Sequence, residues 1–289
     1  MRGDSLPPEL QLIAKKELGE TEQGKHEALD KLNRLLDDEL ELRSRRDDEF
    51  LLRFLRVRKY NVDTAFRKVK EYYRIRRDCP SVFENFVPSS AKLAARNMMI
   101  MLPQRDIHGR PVLLLRAGAW NPHLVSLAEG IRTLVLIAEH LTADPVAQTI
   151  GVSCIEDYDG LTVDKLVSLN FGLLKRFLRH FLDCMPVRVK AVHVVRESYA
   201  FDMAYAVLRP FISKKITDRI RFHGWNFDGL HEEIPVDLLP KEYGGLGPDV
   251  DFEAYWRNLD NAEALFVENN RYGYHEKESC GEEIEVTAF

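Results

Sequence analysis

Thr149-Ile-Gly-Val-Ser-Cys-Ile-Glu-Asp-Tyr-Asp-Gly160 is a short apolar run closed by an acidic, glycine-ended turn. Such a run, bounded by turn residues, reads as a strand buried on both faces, here over residues 149–155. The Asp157-Tyr-Asp159-Gly160 end reads as an Asx-type turn into the next helix. Two similar runs flank it, Pro111 to Leu115 upstream and residues 187–195 downstream, with the strand-like Ile220-Arg-Phe-His223 further on. Helical patterns fill the gaps. Ser126 and Glu129 predict a capping box ahead of Ile131, Leu134, Val135, Ala138 and Leu141. Leu173, Leu174, Phe177, Leu178 and Phe181 recur at helical spacing and stop before Pro186, and residues 201–211 predict one more helix. Strands alternating with helices call for a mainly parallel sheet with right-handed crossovers, so the fold class is α/β.

The chain ahead of this region has a different pattern. Leu29, Leu32, Leu35 and Leu36, then Phe50, Leu51, Phe54, Leu55 and Val57, then Ala65, Phe66, Val69, Tyr72 and Tyr73 form successive helical stripes, with no strand signal before Pro80. Residues 1–80 are therefore expected to form a small all-helical domain, 81–100 a linker, and 101–250 the α/β domain. Phe252, Tyr255, Trp256, Leu259 and Phe266 predict one docked amphipathic helix over 251–275, and 276–289 read as an acidic disordered tail.

Composition narrows the function classes. Of 289 residues, 45% are apolar and 30% charged, ordinary values for a folded domain. The longest aliphatic run, Leu134 to Ala138, is far short of the ~20 residues a spanning helix needs. Met1-Arg-Gly-Asp-Ser-Leu-Pro-Pro8 has no apolar core and does not read as a secretory signal. Cys79, Cys154, Cys184 and Cys280 lack metal-type spacing, which points to a reducing cytosol. The net charge of −5 hides an asymmetry: residues 43–77 hold thirteen Lys/Arg against five Asp/Glu, and 186–223 hold eight against three. Basic stretches of this kind are solvated faces or a footprint for an anionic partner.

Enzyme chemistry is not signalled. There is no phosphate-binding G-x-x-x-x-G-K-[ST] loop, and Gly244-Gly245-Leu-Gly247 closes the α/β region instead of opening a helix. No G-x-S-x-G elbow seats a nucleophile. His231-Glu232-Glu233 lacks a second histidine for zinc, and Asp157-Tyr-Asp159-Gly160 is too short for a calcium loop. No catalytic residue, metal ligand, cofactor or nucleic-acid partner is expected.

Four segments carry a family resemblance. Asp48-Glu-Phe-Leu-Leu-Arg53-Phe-Leu-Arg56-Val-Arg58-Lys-Tyr resembles the N-terminal helical domain of the CRAL-TRIO proteins, and Asp106-Ile-His-Gly-Arg-Pro-Val-Leu-Leu-Leu-Arg116 their first sheet strand. Gly151 to Gly160 is similar to their strand and acidic turn, and Leu239-Pro-Lys-Glu-Tyr-Gly-Gly245 to their terminal signature. The resemblance spans about residues 45 to 247 in order and is closest to the branch holding the α-tocopherol transfer protein and retinaldehyde-binding protein. It implies a non-enzymatic α/β domain that encloses one lipid beneath a mobile amphipathic helix.

Carried over residue by residue, the resemblance implies a phosphoinositide-binding cleft of Arg58, Arg188, Lys190, Lys215 and Arg219. Alternation and helical spacing put Arg188 with Lys190, and Lys215 with Arg219, on common faces. It implies a cavity wall of Ile131, Leu134, Ala138, Ile155, Glu156, Phe177, Phe181, Met185, Val189 and Val192, and a lid bearing Phe201, Tyr205, Leu208, Phe211 and Ile212. Residues 199–212 are apolar on nearly every side, the pattern of a core helix or of one that alternates between protein and membrane. Arg53 and Arg56 are expected as helix surface charges or ion-pair partners. The chain departs from the tocopherol carrier at Leu134 and Ala138, where that protein has serines, and at Glu156, where it has phenylalanine. A buried carboxylate needs a partner or a proton, so the ligand class stays open among tocopherol-, retinoid-, carotenoid-, other prenyl- and phospholipid-like molecules. The resulting expectation is a cytoplasmic, monomeric lipid-transfer protein that associates transiently with endosomal or plasma membranes through phosphoinositides. The alternative is a phosphoinositide-sensing trafficking or regulatory adaptor without transfer activity.

Overall fold

The structure is a computed structural model and describes residues 6–178 and 185–274; the expected acidic tail, 276–289, and Phe181 lie outside the described residues.

The N-terminal part is helical: α1 (Pro8–Ile13), a π-helical turn (Ala14–Leu18), α2 (Glu22–Asp37), α3 (Asp48–Val57), α4 (Val62–Asp78), α5 (Pro80–Phe83) and α6 (Leu93–Arg96). Side-chain caps set the starts of the three long helices. Thr21 accepts from the Gly24 amide, Asp47 from Phe50 and Asn61 from Thr64. α3 is buried continuously from Phe50 to Arg56, both arginines included. Arg53 and Arg56 are thus ion-pair partners inside the protein, not surface charges. Arg53 meets Glu139 and donates to the Thr142 hydroxyl, while Arg56 donates twice to Glu20 and once to Gln148.

A five-stranded sheet follows, in the order β2 (Met99–Arg105), β3 (Pro111–Leu115), β4 (Val152–Asp157), β5 (Val189–Val195) and β6 (Ile220–Phe222). β3 to β6 are parallel, and β2 lies antiparallel on β3. The predicted α/β class with a mainly parallel sheet is the observed one. Between strands run α7 (Leu127–Leu141), opened by the Ser126/Glu129 capping box, α8 (Pro145–Ile150), α9 (Val163–Val167), α10 (Phe171–Arg176), α11 (Tyr199–Leu208), α12 (Lys214–Thr217) and α13 (Asp228–His231). β4 starts later than expected because Asp144 and Pro145 begin a helix that takes Thr149 and Ile150. Gly151 joins that helix to the strand at φ +90°, and a Cβ there would lie 2.4 Å from the Arg188 carbonyl oxygen, so no larger residue fits.

Four further expectations change. Residues 81–100 are no linker: Val82, Phe86, Ala95, Met98 and Met99 are buried in the core that holds Phe50, Leu55, Tyr72, Val135 and Leu136. The helical part and one face of the α/β part therefore share one core. Two short strands, β1 (Leu42–Arg43) and β7 (Gly273–Tyr274), pair antiparallel, although no strand was expected before Pro80. The strand from Pro111 is the second of its sheet, not the first. The C-terminal region holds two helices, α14 (Phe252–Asn261) and α15 (Glu263–Asn269), in place of one.

Candidate functional site, an apolar cavity beside a basic cleft

Strand alternation gives the sheet two different faces. Ile100, Leu102, Val112, Leu114, Ile155 and Val195 pack on the back face against Leu230, Ile234, Leu239 and Tyr243. On the front, Cys154, Val192 and Val194 pack with Phe201 of α11. Between this front face and the helices lies a cavity of about 320 Å³, the lower end of the range for small-molecule sites. Met99, Leu115, Glu156, Val192, Val194 and Ile220 form its floor. Leu127, Ile131 and Leu134 of α7 form one wall, Leu166, Leu174, Phe177 and Leu178 another, and Phe201, Ala204, Tyr205, Leu208, Ile212 and Ile216 the cover.

Of the residues named from the resemblance, Ile131, Leu134, Glu156, Phe177, Val192, Phe201, Tyr205, Leu208 and Ile212 line this cavity. Five residues do not. Ile155 points to the back face, because its neighbour Glu156 points to the front. Ala138 and Met185 join the core shared with the helical part. Val189 packs beside Cys154, Val192 and Val194 without reaching the cavity, and Phe211 places its ring under the Lys175 ammonium at 5.0 Å. Trp120, Tyr158, Val194, Ile216 and Ile220 line the cavity unannounced. For Val194 the signal was available, since it lies two residues from Val192 and shares its face.

Glu156 is the one carboxylate among the lining residues. Burial pushes its carboxyl pKa up, and the hydrogen bond donated by the Tyr158 hydroxyl at 2.9 Å pulls the other way. The ring of Tyr158 lies 4.5 Å from that of Phe201, which stacks on Tyr205, and Phe222 meets both Phe201 and Tyr205 edge-on. This aromatic cluster seats the start of α11. Phe201, Ala204, Tyr205 and Leu208 face inward while Tyr199, Met203 and Val207 form an exposed outer stripe, with exposed Val163 and Val167 on the adjoining α9. α11 is apolar on its inner side and, Asp202 apart, on its outer side as well.

The five predicted cations share one electrostatic field. Burial lowers the Lys215 ammonium pKa most, and the fields of Arg219, Arg58, Arg188 and Lys59 lower it further. Lys190 feels Arg188, and Arg188 feels Arg219. Lys59 is a sixth member, adjacent in sequence to Arg58. The cluster is ordered by acceptors: Arg188 donates to the Thr149 carbonyl, Arg219 to the Val189 carbonyl, and Arg188 and Lys190 both reach the Glu17 carboxylate. Cation cluster and cavity adjoin along one segment, because Lys215 belongs to the cluster while its neighbour Ile216 lines the cavity.

A model of the CRAL/TRIO domain matches residues 95–245, the sheet, the cavity and four of the five cations included. The chain belongs to the CRAL/TRIO domain family. A model of the Pinta-like UBA domain covers residues 21–93, the helical part. The human alpha-tocopherol transfer protein-like protein is 36% identical over 76% of this chain and 65% of its own length, so the match spans less than two thirds of that relative. Rat clavesin-1 is 33% identical over 74% of this chain and 62% of its own length. The crystal structure of Sfh5 superposes with a TM-score of 0.56 at 10% identity, covering 87% of this chain and 98% of that one, a likeness of fold.

Two motifs of the CRAL/TRIO chain meet in space. Asp157, at the end of β4, accepts hydrogen bonds from Arg196 and, at 2.8 Å, from the hydroxyl of Tyr243 in the terminal signature. The next signature residue but one, Gly245, has room for no Cβ, since it would sit 1.9 Å from the Leu239 carbonyl oxygen. The turn and the signature thus pin the end of β4, which carries Glu156, to the back layer. Among the described residues no group of acidic, histidine or cysteine side chains could hold a metal, and no helix is long and apolar enough to cross a membrane.

Proposed function

We propose that this chain encloses one hydrophobic lipid, of tocopherol-, retinoid- or other prenyl-like type, and exchanges it at phosphoinositide-containing membranes. The observation that carries the reading is the junction of cavity and cleft: α12 presents Ile216 to the apolar interior and Lys215 to the cation cluster within one helical turn. An anionic headgroup that draws on Lys215 therefore pulls on a segment that closes the cavity. Arginine forks offer bidentate geometry to phosphate, and each cation near an anionic surface contributes ~1 kcal/mol, enough for weak and reversible membrane association. The apolar lining selects a hydrophobic cargo, and Glu156 with Tyr158 gives that cargo one polar contact. The names of the alpha-tocopherol transfer protein-like relatives support transfer as the activity. The protein acts as a monomer in the cytoplasm, visiting endosomal or plasma membranes transiently.

The test is release of a loaded fluorescent lipid to acceptor vesicles with and without phosphatidylinositol bisphosphate. Reversing charge with Arg188→Glu and Lys190→Glu abolishes the phosphoinositide stimulation and leaves ligand capture intact; undiminished stimulation overturns the reading. A chain that binds such vesicles yet retains no lipid on native mass spectrometry returns the adaptor alternative.

A further inference from the structure

The basic cleft already holds a carboxylate from the chain itself. Glu17, on the π-helical turn that follows α1, lies 2.9 Å from the Lys190 ammonium and 3.2 Å from the Arg188 guanidinium. Its neighbours Lys15 and Lys16 are exposed, so the one acidic side chain of the turn is the one aimed at the cleft. We infer that residues 8–18 form a displaceable strap whose Glu17 carboxylate occupies the position a phosphate of a lipid headgroup takes between Arg188 and Lys190. The inference rests on reading those cations as a headgroup cleft.

Three observations make the strap displaceable. Its buried seat, Leu6, Ala14 and Leu18, is a satellite cluster that meets the main core at the half-buried Tyr60, so lifting it leaves most of the shared interior in place. Its ion pairs are half-open, with Glu17 44% exposed against 9% for Arg188, and pairs of that kind are weak and screened by salt. Its far end has a built hinge. Gly19 stands at φ +77° with nothing within 4 Å of a Cβ, and the next residue, Glu20, is clamped by Arg56 through hydrogen bonds of 2.8 and 2.7 Å. Movement at Gly19 therefore stops at Glu20 and does not propagate into α2. A phosphomonoester carries more charge and more acceptor oxygens than a carboxylate, so it outcompetes Glu17 where it is locally concentrated, on a membrane. In its absence the strap cancels one positive charge of the cluster and weakens binding to anionic surfaces at large.

The experiment compares wild type with Glu17→Gln on three probes: phosphatidylcholine vesicles carrying phosphatidylinositol bisphosphate, the soluble inositol trisphosphate headgroup, and inorganic phosphate. Glu17→Gln is expected to bind phosphoinositide vesicles about fivefold more tightly, one recovered charge's worth, with the gain shrinking at high salt. Amide exchange in residues 8–18 of the wild type is expected to rise on adding the soluble headgroup, a readout that needs no variant. Equal vesicle affinity of the two proteins, with both preferring phosphoinositide, overturns the strap and leaves the cleft standing. If neither protein prefers phosphoinositide vesicles to plain ones, the cleft reading fails and the strap with it. Unchanged exchange over 8–18, or release of the strap by inorganic phosphate as effective as by the headgroup, also overturns it.

Discussion

The Tyr158 hydroxyl donates to Oε2 of Glu156 at 2.9 Å, two residues away on the chain and inside an otherwise apolar cavity. With its pKa raised by burial, Glu156 binds a proton more tightly in the folded chain than in the unfolded one. Its contribution is therefore most favourable in acid, below the unfolded value near 4.5, and is lost as pH rises through the folded value. Glu156→Gln keeps an oxygen for Tyr158 and removes the titration. The ligand-free variant should melt with the wild type near pH 4 and above it near pH 8. A gap between the two melting curves that is constant with pH rules out Glu156 as its source.

Glu139 should be the costliest single side chain to remove from the helical interface. It is buried on α7, accepts from the Tyr72 hydroxyl at 2.9 Å, and faces Arg53 at 3.5 Å and Arg76 at 3.6 Å. Glu139→Ala leaves two cations in the interior without their carboxylate, a loss of about 3–5 kcal/mol. Arg53→Met added to Glu139→Met should recover part of it, because both members of the pair are then gone. Chemical denaturation reads both numbers, and a loss below ~1 kcal/mol for Glu139→Ala contradicts the prediction.

What could be read from the sequence follows the physics of each element. Parallel strands β3, β4 and β5 were legible because β3 is a continuous apolar run, β4 opens on one broken only by Ser153, and β5 holds four valines among its seven residues. β2 was not, because Pro103 argues against a strand; it is tolerated since β2 is an edge strand and its pairing with β3 shifts register between Met101 and Arg105. β1 and β7, two residues each, give no periodicity to detect. Naming both Ile155 and Glu156 as cavity wall was impossible for a strand, where neighbours face opposite ways. The cations near Arg188 and those near Arg219 could be paired locally by spacing. Their meeting with Arg58 came only through the family resemblance, since no local pattern links positions so far apart. Glu17 carried no signal at all: one acid in a short helix is ordinary until Arg188 and Lys190 are seen beside it.

Gly118, like Gly151 and Gly245, is a place where backbone contact dictates the residue. A Cβ there would meet the Asp159 carbonyl oxygen at 2.0 Å and the Tyr158 carbonyl carbon at 2.5 Å. Gly118→Ala must push the turn after β4 outward, costing about 1–3 kcal/mol. It also moves Tyr158, and with it the partner of Glu156, so bound lipid should leave faster than from the wild type. Thermal melting and lipid off-rate check the two effects. An unshifted melting temperature shows that the turn yields without strain.

The outer stripe of α11 gives the last prediction. Tyr199, Met203 and Val207 lie four residues apart and are exposed, while Phe201, Ala204, Tyr205 and Leu208 of the same helix line the cavity. The two sets share a helix and no surface, so they can be altered separately. Met203→Asp and Val207→Asp remove apolar area that a bilayer would bury, at about 1.5–3 kcal/mol for a fully buried side chain of this size. Each is expected to weaken vesicle binding about tenfold. Lipid retention away from membranes should not change, because neither residue lines the cavity. Alanine in place of aspartate should weaken binding less, since it removes area without adding charge. Vesicle sedimentation beside ligand off-rates separates these outcomes. Loss of retained lipid in solution would show instead that the outer stripe is part of the seal, and equal vesicle binding by all four variants would show that α11 does not meet the membrane.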